Sequence, residues 1–194
     1  ATVDAPLPDS ELKTNLGFKI GYIAEAFVKF DFECACTFFR NKKNQWTHSP
    51  LVYSQQSRSK CDFVYGPIQH PAFDKIKKEI KNLMSNLDYV GALTFEFFAN
   101  NNQLIVNETA PRVHNSAHYS LDGLSQDQFT LHLKSVLNQN LNIAIEPKSK
   151  IFCMVNLIGR SSQDVTIPSQ LAGNLYWYGK SENRSGRKMG HVNY

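Results

Sequence analysis

The sequence predicts an α+β protein, with a mixed body over residues 1–147 and a small β-rich unit over residues 148–194. Three observations carry this. Residues 71–87 repeat apolar side chains at helical spacing, and a second such stretch follows Ser125. Residues 31–40 alternate at period two, and residues 92–106 hold two apolar runs around Asn100-Asn101-Asn102, which reads as a β-hairpin. The last 45 residues hold a buried-strand run, IFCMVNLI, then LYWY and a basic, Gly-containing ending.

In chain order, residues 1–10 carry two prolines and no periodicity, as a tail or join does. Lys13, with Thr14, Asn15 and Gly17, fits either a surface lysine or a strand end entering a phosphate loop. Phe18–Phe27 resumes as an apolar segment. In Asp31–Arg40, Phe32, Cys34, Cys36 and Phe38 face one way and Glu33, Ala35, Thr37 and Phe39 the other. Asn41–Gln45 is a turn and Trp46–Tyr53 the return strand. Ser54–Pro67 reads as polar and irregular. Pro71–Leu87 is a helix with its stripe on Phe73, Ile76, Ile80, Leu83, Met84 and Leu87. Its lysines, off that stripe, read as a solvated face rather than a nucleic-acid patch. Ser125 with Gln128 reads as a capping box, starting a helix through Phe129, Leu133, Val136 and Leu137 that ends near Asn138–Asn140. Glu146-Pro147-Lys148 is a short linker.

At 194 residues the chain is long enough for a real core. It is 42% hydrophobic and 20% charged, which is ordinary globular usage. A net charge of +4 favours anionic ligands without demanding nucleic acid. No apolar run is long enough to span a bilayer. The acidic, Pro-rich start is not a secretory leader, so a cytoplasmic protein is expected. Cys34, Cys36, Cys61 and Cys153 are too few for a disulfide scaffold and read as structural thiols.

The chemistry concentrates in FEFFANNNQLIVNETAPRVHNSAH. Glu96 and Glu108 lie equally far from Asn102 and face each other in a symmetric hairpin. Opposed like charges destabilise a ladder, so a cation between them is the functional reading. Two outward, solvated acids are the plainer one. Carboxylate oxygens, with Asn107 beside them and no His or Cys, suit Mg²⁺ before Zn²⁺. A magnesium-holding acid pair beside a basic residue is phosphate chemistry. Arg112, His114, Asn115 and His118 follow in loop composition. His114 and His118 have the spacing of a zinc pair, but Pro111 and Asn115 argue for a loop. Near the end, Lys180, Arg184, Arg187 and Lys188 surround glycines. This is a phosphate site or a solvated basic tail.

The blocks NETAPRVHNSAHYS, QFTLHL, MVNLIG and YWYGKSENRSGRKMGHVN, in this order, resemble the N5-carboxyaminoimidazole ribonucleotide synthases of the ATP-grasp superfamily. The resemblance implies an ATP-grasp fold with a small carboxy-terminal β-rich domain. It implies an ATP-dependent ligase that carboxylates 5-aminoimidazole ribonucleotide with bicarbonate through carboxyphosphate. Glu25, Ala26, Phe27 and Val28 then fall on the hinge that meets adenine, Glu33 on the acid for the ribose hydroxyls, and Lys13 on a phosphate lysine. Glu96 and Glu108 fall on the magnesium ligands, with Asn107 beside them. Arg112, His114 and Asn115 fall where bicarbonate and carboxyphosphate are held. Lys180, Arg187 and Lys188 fall near the ribonucleotide's phosphate. ATP and Mg²⁺ are the implied cofactors, and a homodimer with no nucleic-acid or membrane partner is expected. The family's amino-terminal domain is absent from the chain. Asn15-Leu16-Gly17 also runs straight into Phe18 where the family carries a Gly-rich lid, so residues are expected to be missing near 10–18. Gln55 or Gln56 stands near a family histidine. The rivals are another ATP-grasp ligase, a non-catalytic nucleotide-binding module and a nucleic-acid-binding domain.

Overall fold

The computed structural model describes residues 26–57, 60–160 and 172–194. The readings for Lys13, Glu25 and the Gly17–Phe18 join lie outside them. Nine strands are described: β1 (Phe32–Arg40), β2 (Trp46–His48), β3 (Val52–Ser57), β4 (Lys60–Gly66), β5 (Gly91–Asn100), β6 (Gln103–Ala110), β7 (Phe152–Ile158), β8 (Asn174–Trp177) and β9 (Lys188–Asn193). They form one antiparallel sheet in the order β6-β5-β1-β3-β4-β7-β9-β8, with β2 also paired to β1. The expected α+β class holds. The carboxy-terminal strands join the same sheet, since β7 pairs with β4 from Phe63↔Val155 to Gly66↔Phe152.

The alternation in β1 is real and divides the core. Cys34, Cys36 and Phe38 belong to one apolar cluster, with Phe95, Phe97, Ile80 and Met84. Ala35 and Phe39, from the opposite face, belong to two others. Helix α1 (Phe73–Asn86) covers the first face with Ile80 and Met84 buried. Leu83 and Leu87 are more exposed than the stripe predicts. The chain leaves α1 through Asp88 at φ 47°, a left-handed residue that ends the helix. Lys75 and Lys77 pair along α1 with Glu79 and Asp74, as expected of a solvated face.

Three expectations need correction. The return strand is broken into β2 and β3 at Ser49-Pro50-Leu51. Pro50 has no N–H for the ladder, and the Ser49 hydroxyl instead accepts from the Thr37 N–H at 3.0 Å. Residues 54–67 are not irregular: they hold most of the β3–β4 hairpin. The helix after Ser125 is α3 (Gln128–Val136), capped by Asp127, whose carboxylate accepts from the N–H groups of Phe129 and Thr130. Ser125 instead bonds Glu146. The buried face of α3 is Gln128, Leu131 and Ser135, while Phe129, Leu133, Val136 and Leu137 are largely exposed.

Candidate active site

Directly opposed residues of an antiparallel ladder share a face. Glu96 on β5 opposes Ala35 on one side and Glu108 on the other. The two acids therefore stand together, as expected. The register arises differently from the expected symmetric turn. The turn is two residues, with Asn100 opposite Gln103 and Phe97 opposite Val106. A regular ladder would then set Glu96 against Asn107. A one-residue bulge at Asn107 brings Glu108 opposite instead. Bulges re-aim side chains in this way at functional edges. Glu33, two residues before Ala35, lies on the same face.

This face is electrostatically strained. Burial, then the charges of Glu108 and Glu33, push the Glu96 carboxyl up to about 7. Burial likewise raises Glu33. Burial and the Arg112 and Lys188 cations push His114 down to about 4. Glu96 Oε1 lies 3.4 Å from His114 Nδ1, with both side chains mostly buried. His114 Nδ1 also lies 3.4 Å from the Ser116 N–H, which can only donate, so that nitrogen is an acceptor. The Glu96–His114 contact is thus between a carboxyl and a neutral imidazole, not an ion pair.

The loop after β6 closes over this face. A short 3₁₀ turn (Asn115–Ala117) and helix α2 (Ser120–Gly123) carry it. Gln128, buried at the start of α3, holds the loop. Its Oε1 accepts from the His114 N–H at 2.8 Å, and its Nε2 donates to the His114 carbonyl at 3.0 Å and to His118 Nδ1 at 2.7 Å. The Thr94 hydroxyl donates to the Arg112 carbonyl at 3.2 Å. His118 stacks between Phe129 and His191, so it is packed rather than poised with His114 for zinc. Among the described residues no group of three or more His, Cys, Asp and Glu side chains gathers to hold a metal. Magnesium needs only one or two carboxylates beside phosphate oxygens and water. Glu96 and Glu108 fit that demand.

Strand β9 brings Lys188 to the same place. Its Nζ donates to Asn115 Oδ1 at 2.7 Å, and its charge acts on both Glu96 and Glu108. Lys180 Nζ bonds the Lys188 carbonyl at 2.6 Å. Arg187 turns toward Glu182 instead, donating to its carbonyl at 3.3 Å. The ending is therefore not a solvated tail: Met189, His191, Val192 and Asn193 are buried. Gly190 serves close packing, since a Cβ there would lie 2.5 Å from the Tyr176 carbonyl. Ala26, Phe27 and Val28 are irregular backbone, with Phe27 exposed. Surface concavities of about 410 Å³, at the β5–β6 tip, and about 370 Å³, beside Trp46 and His48, do not include the acid pair.

Sequence reasoning missed Gln128, Tyr178 and Asn156. The signal for Asn156 was present, as the lone strongly polar residue in an apolar strand.

Opposed acids on an antiparallel sheet, Glu96 mostly buried and Glu108 exposed, with Lys188 and Arg112 acting on Glu96, suit the binding of a metal-associated phosphate group. Residues 8–129 match the ATP-grasp domain model, and residues 153–194 match the phosphoribosylaminoimidazole carboxylase C-terminal domain model. The chain belongs to the ATP-grasp family. The relatives it matches within that family are named N5-carboxyaminoimidazole ribonucleotide synthases. The Saccharolobus solfataricus enzyme of that name is 36% identical over 173 residues, covering 88% of this chain and 45% of the relative. The Thermus thermophilus synthetase structure superposes with a TM-score of 0.77 at 34% identity, covering 87% of this chain and 47% of that one. The Aspergillus clavatus synthase, solved with ADP and 5-aminoimidazole ribonucleotide, gives 0.74 at 26% identity, covering 86% and 47%. The chain spans about half the length of the relatives it matches.

Proposed function

We propose that the protein carrying this chain is an ATP-dependent carbon–nitrogen ligase. It carboxylates the exocyclic amine of 5-aminoimidazole ribonucleotide with bicarbonate in purine biosynthesis. The observation that carries this is the Glu96–Glu108 register, kept by a bulge against like-charge repulsion. The ADP and ribonucleotide bound by the Aspergillus clavatus relative support the substrates.

Glu96 and Glu108, with Asn107, would hold Mg²⁺, which when bound neutralises charge on the nucleotide's phosphates. Lys13 meets those phosphates. The backbone of Glu25–Val28 meets adenine, and Glu33 the ribose hydroxyls. Arg112 stabilises negative charge as phosphate passes to bicarbonate. Neutral His114 lies beside Glu96 without a compensating charge, which would leave that carboxylate available to a metal. Asn115 and Lys188 hold the carboxylated intermediate, and Lys180 and Arg187 the ribonucleotide's phosphate. Carboxyphosphate hydrolyses in water, so the site must close during turnover. The two-unit division near residues 147 and 148 belongs to the same reading and is supported by family matches that end at 129 and begin at 153. A cytoplasmic homodimer without nucleic-acid partners also belongs to it. Among the described residues, no helix is long and apolar enough to cross a membrane.

The test is ADP release with bicarbonate, with and without aminoimidazole ribonucleotide. Ribonucleotide-dependent release is expected. Nucleotide binding without turnover under any substrate combination contradicts the ligase reading.

A further inference from the structure

A chain of side-chain amides runs behind the site. Asn156, 6% exposed on β7, donates from Nδ2 to the Cys61 carbonyl at 2.9 Å and to Asn115 Oδ1 at 2.8 Å. Asn115 Nδ2 donates back to Asn156 Oδ1 at 2.9 Å. Lys188 Nζ donates to the same Asn115 Oδ1 at 2.7 Å. The two ends of this relay fix its polarity. An ammonium only donates and a carbonyl only accepts, so neither amide can flip without setting donor against donor or acceptor against acceptor.

The hydrogen-bond capacity of Asn115 then limits what it can offer. Its oxygen has two lone pairs, and both are taken. Its nitrogen has two N–H groups, and Asn156 takes one. One N–H remains, on the side of the Tyr178 hydroxyl, which bonds His191 Nδ1 at 2.8 Å.

We propose that Asn156 is a positioning residue: by pairing with Asn115 it makes that side chain a pure donor toward an anionic substrate and fixes Lys188 beside the acid pair. This deepens the reading above and rests on its placement of Asn115 and Lys188 in the site. An acyl phosphate or bicarbonate carries only acceptors at neutral pH on the side it would present, and an amide free to turn would meet it with its oxygen half of the time. Asn156 removes that alternative without touching the substrate.

The test uses Asn156→Leu, which keeps the branching at Cγ and removes every side-chain donor and acceptor. Asn156→Ser keeps a donor for the Cys61 carbonyl and serves if the first variant does not fold. One readout needs no activity: brief acylation of the folded protein with an N-hydroxysuccinimide ester, followed at Lys188 by mass spectrometry. Loss of a charge-assisted hydrogen bond predicts that the Lys188 rate rises about ten-fold while the other lysines keep theirs. A Lys188 rate equal to wild type in a folded variant overturns the proposal. The second readout is kinetic. kcat for ribonucleotide-dependent ADP release falls about 10- to 100-fold, the scale of a small misplacement, with KM for ATP within about two-fold. In a Lys188→Met background the Asn156 substitution costs much less than it does alone. Equal loss in both backgrounds overturns it. Wild-type protein without any ADP release would sink the ligase reading, and the acylation arm would still decide the role of Asn156.

Discussion

At the scale of single residues, the proposed site divides into groups assigned to meet ligands and groups that hold those in place. Lys188 faces Asn115 and the acids, whereas Arg187 faces outward beside Glu182. Arg187→Ala should therefore chiefly raise KM for the ribonucleotide, by about ten-fold for one lost charged hydrogen bond, with kcat little changed. An unchanged KM in steady-state kinetics places the substrate phosphate elsewhere. Asp127→Ala should lower stability by about 1 kcal/mol, the usual worth of an N-cap, as read by urea melts. No change would mean the cap carries nothing. The residues proposed to meet ligands were legible because two acids on the β5–β6 hairpin are followed at once by a stretch of amides and cations without apolar periodicity. The holders were less so. Gln128 sits where a helix start would carry either a cap or a core residue, and nothing local marks its bonds to His114 and His118. Asn156 could be found, since an Asn amid IFCMVNLI is buried at a cost unless fully bonded.

At the scale of elements, the hairpin was read with the right partners for an incomplete reason. The two-residue turn and the bulge offset one another, and spacing alone cannot distinguish that from a symmetric turn. The bulge yields a sharp prediction. Deleting Asn107 should straighten β6 and leave Glu96 opposite Glu108, with every other pair kept. Stability should hold, while affinity for MgATP falls about ten-fold for lack of the amide oxygen and of the re-aimed carboxylate. Isothermal titration checks this, and unchanged affinity would show that the bulge has no part in binding. The β3–β4 hairpin escaped the sequence reading because YSQQS lacks an apolar period. Ser54 and Gln56 lie on the site face, where a strand carries polar groups. The face of α3 was misassigned because its buried stripe includes Gln128 and Ser135, while Phe129 and Leu133 stay largely exposed.

At the scale of the whole molecule, one sheet joins the acid pair on β5 and β6 to the basic ending on β9, with the loop from Arg112 to His118 packed between them. Its interior holds neutral histidines. Burial pushes His118 down to about 3 and His191 down to about 4. Below the ordinary value of about 6.5 the unfolded chain binds protons that the folded one refuses, so stability falls as pH drops from there toward 4. Glu96 acts in the opposite sense between about 7 and 4.5, because the folded state binds its proton first. The histidine share is therefore the difference between wild type and His118→Gln in urea melts from pH 7 to 5. The variant should lose less stability on acidification. Identical slopes would mean that His118 titrates normally. The acid pair gives the most direct test of the account, because its two faces, repulsion and metal seating, predict opposite effects of one substitution. In Glu108→Gln, removing a like charge beside Glu96 should leave the melting temperature unchanged or raised, while ribonucleotide-dependent ADP release falls by at least about 100-fold. Wild-type turnover in a normally folded Glu108→Gln protein would contradict the claim that these two carboxylates form the seat of the nucleotide's metal.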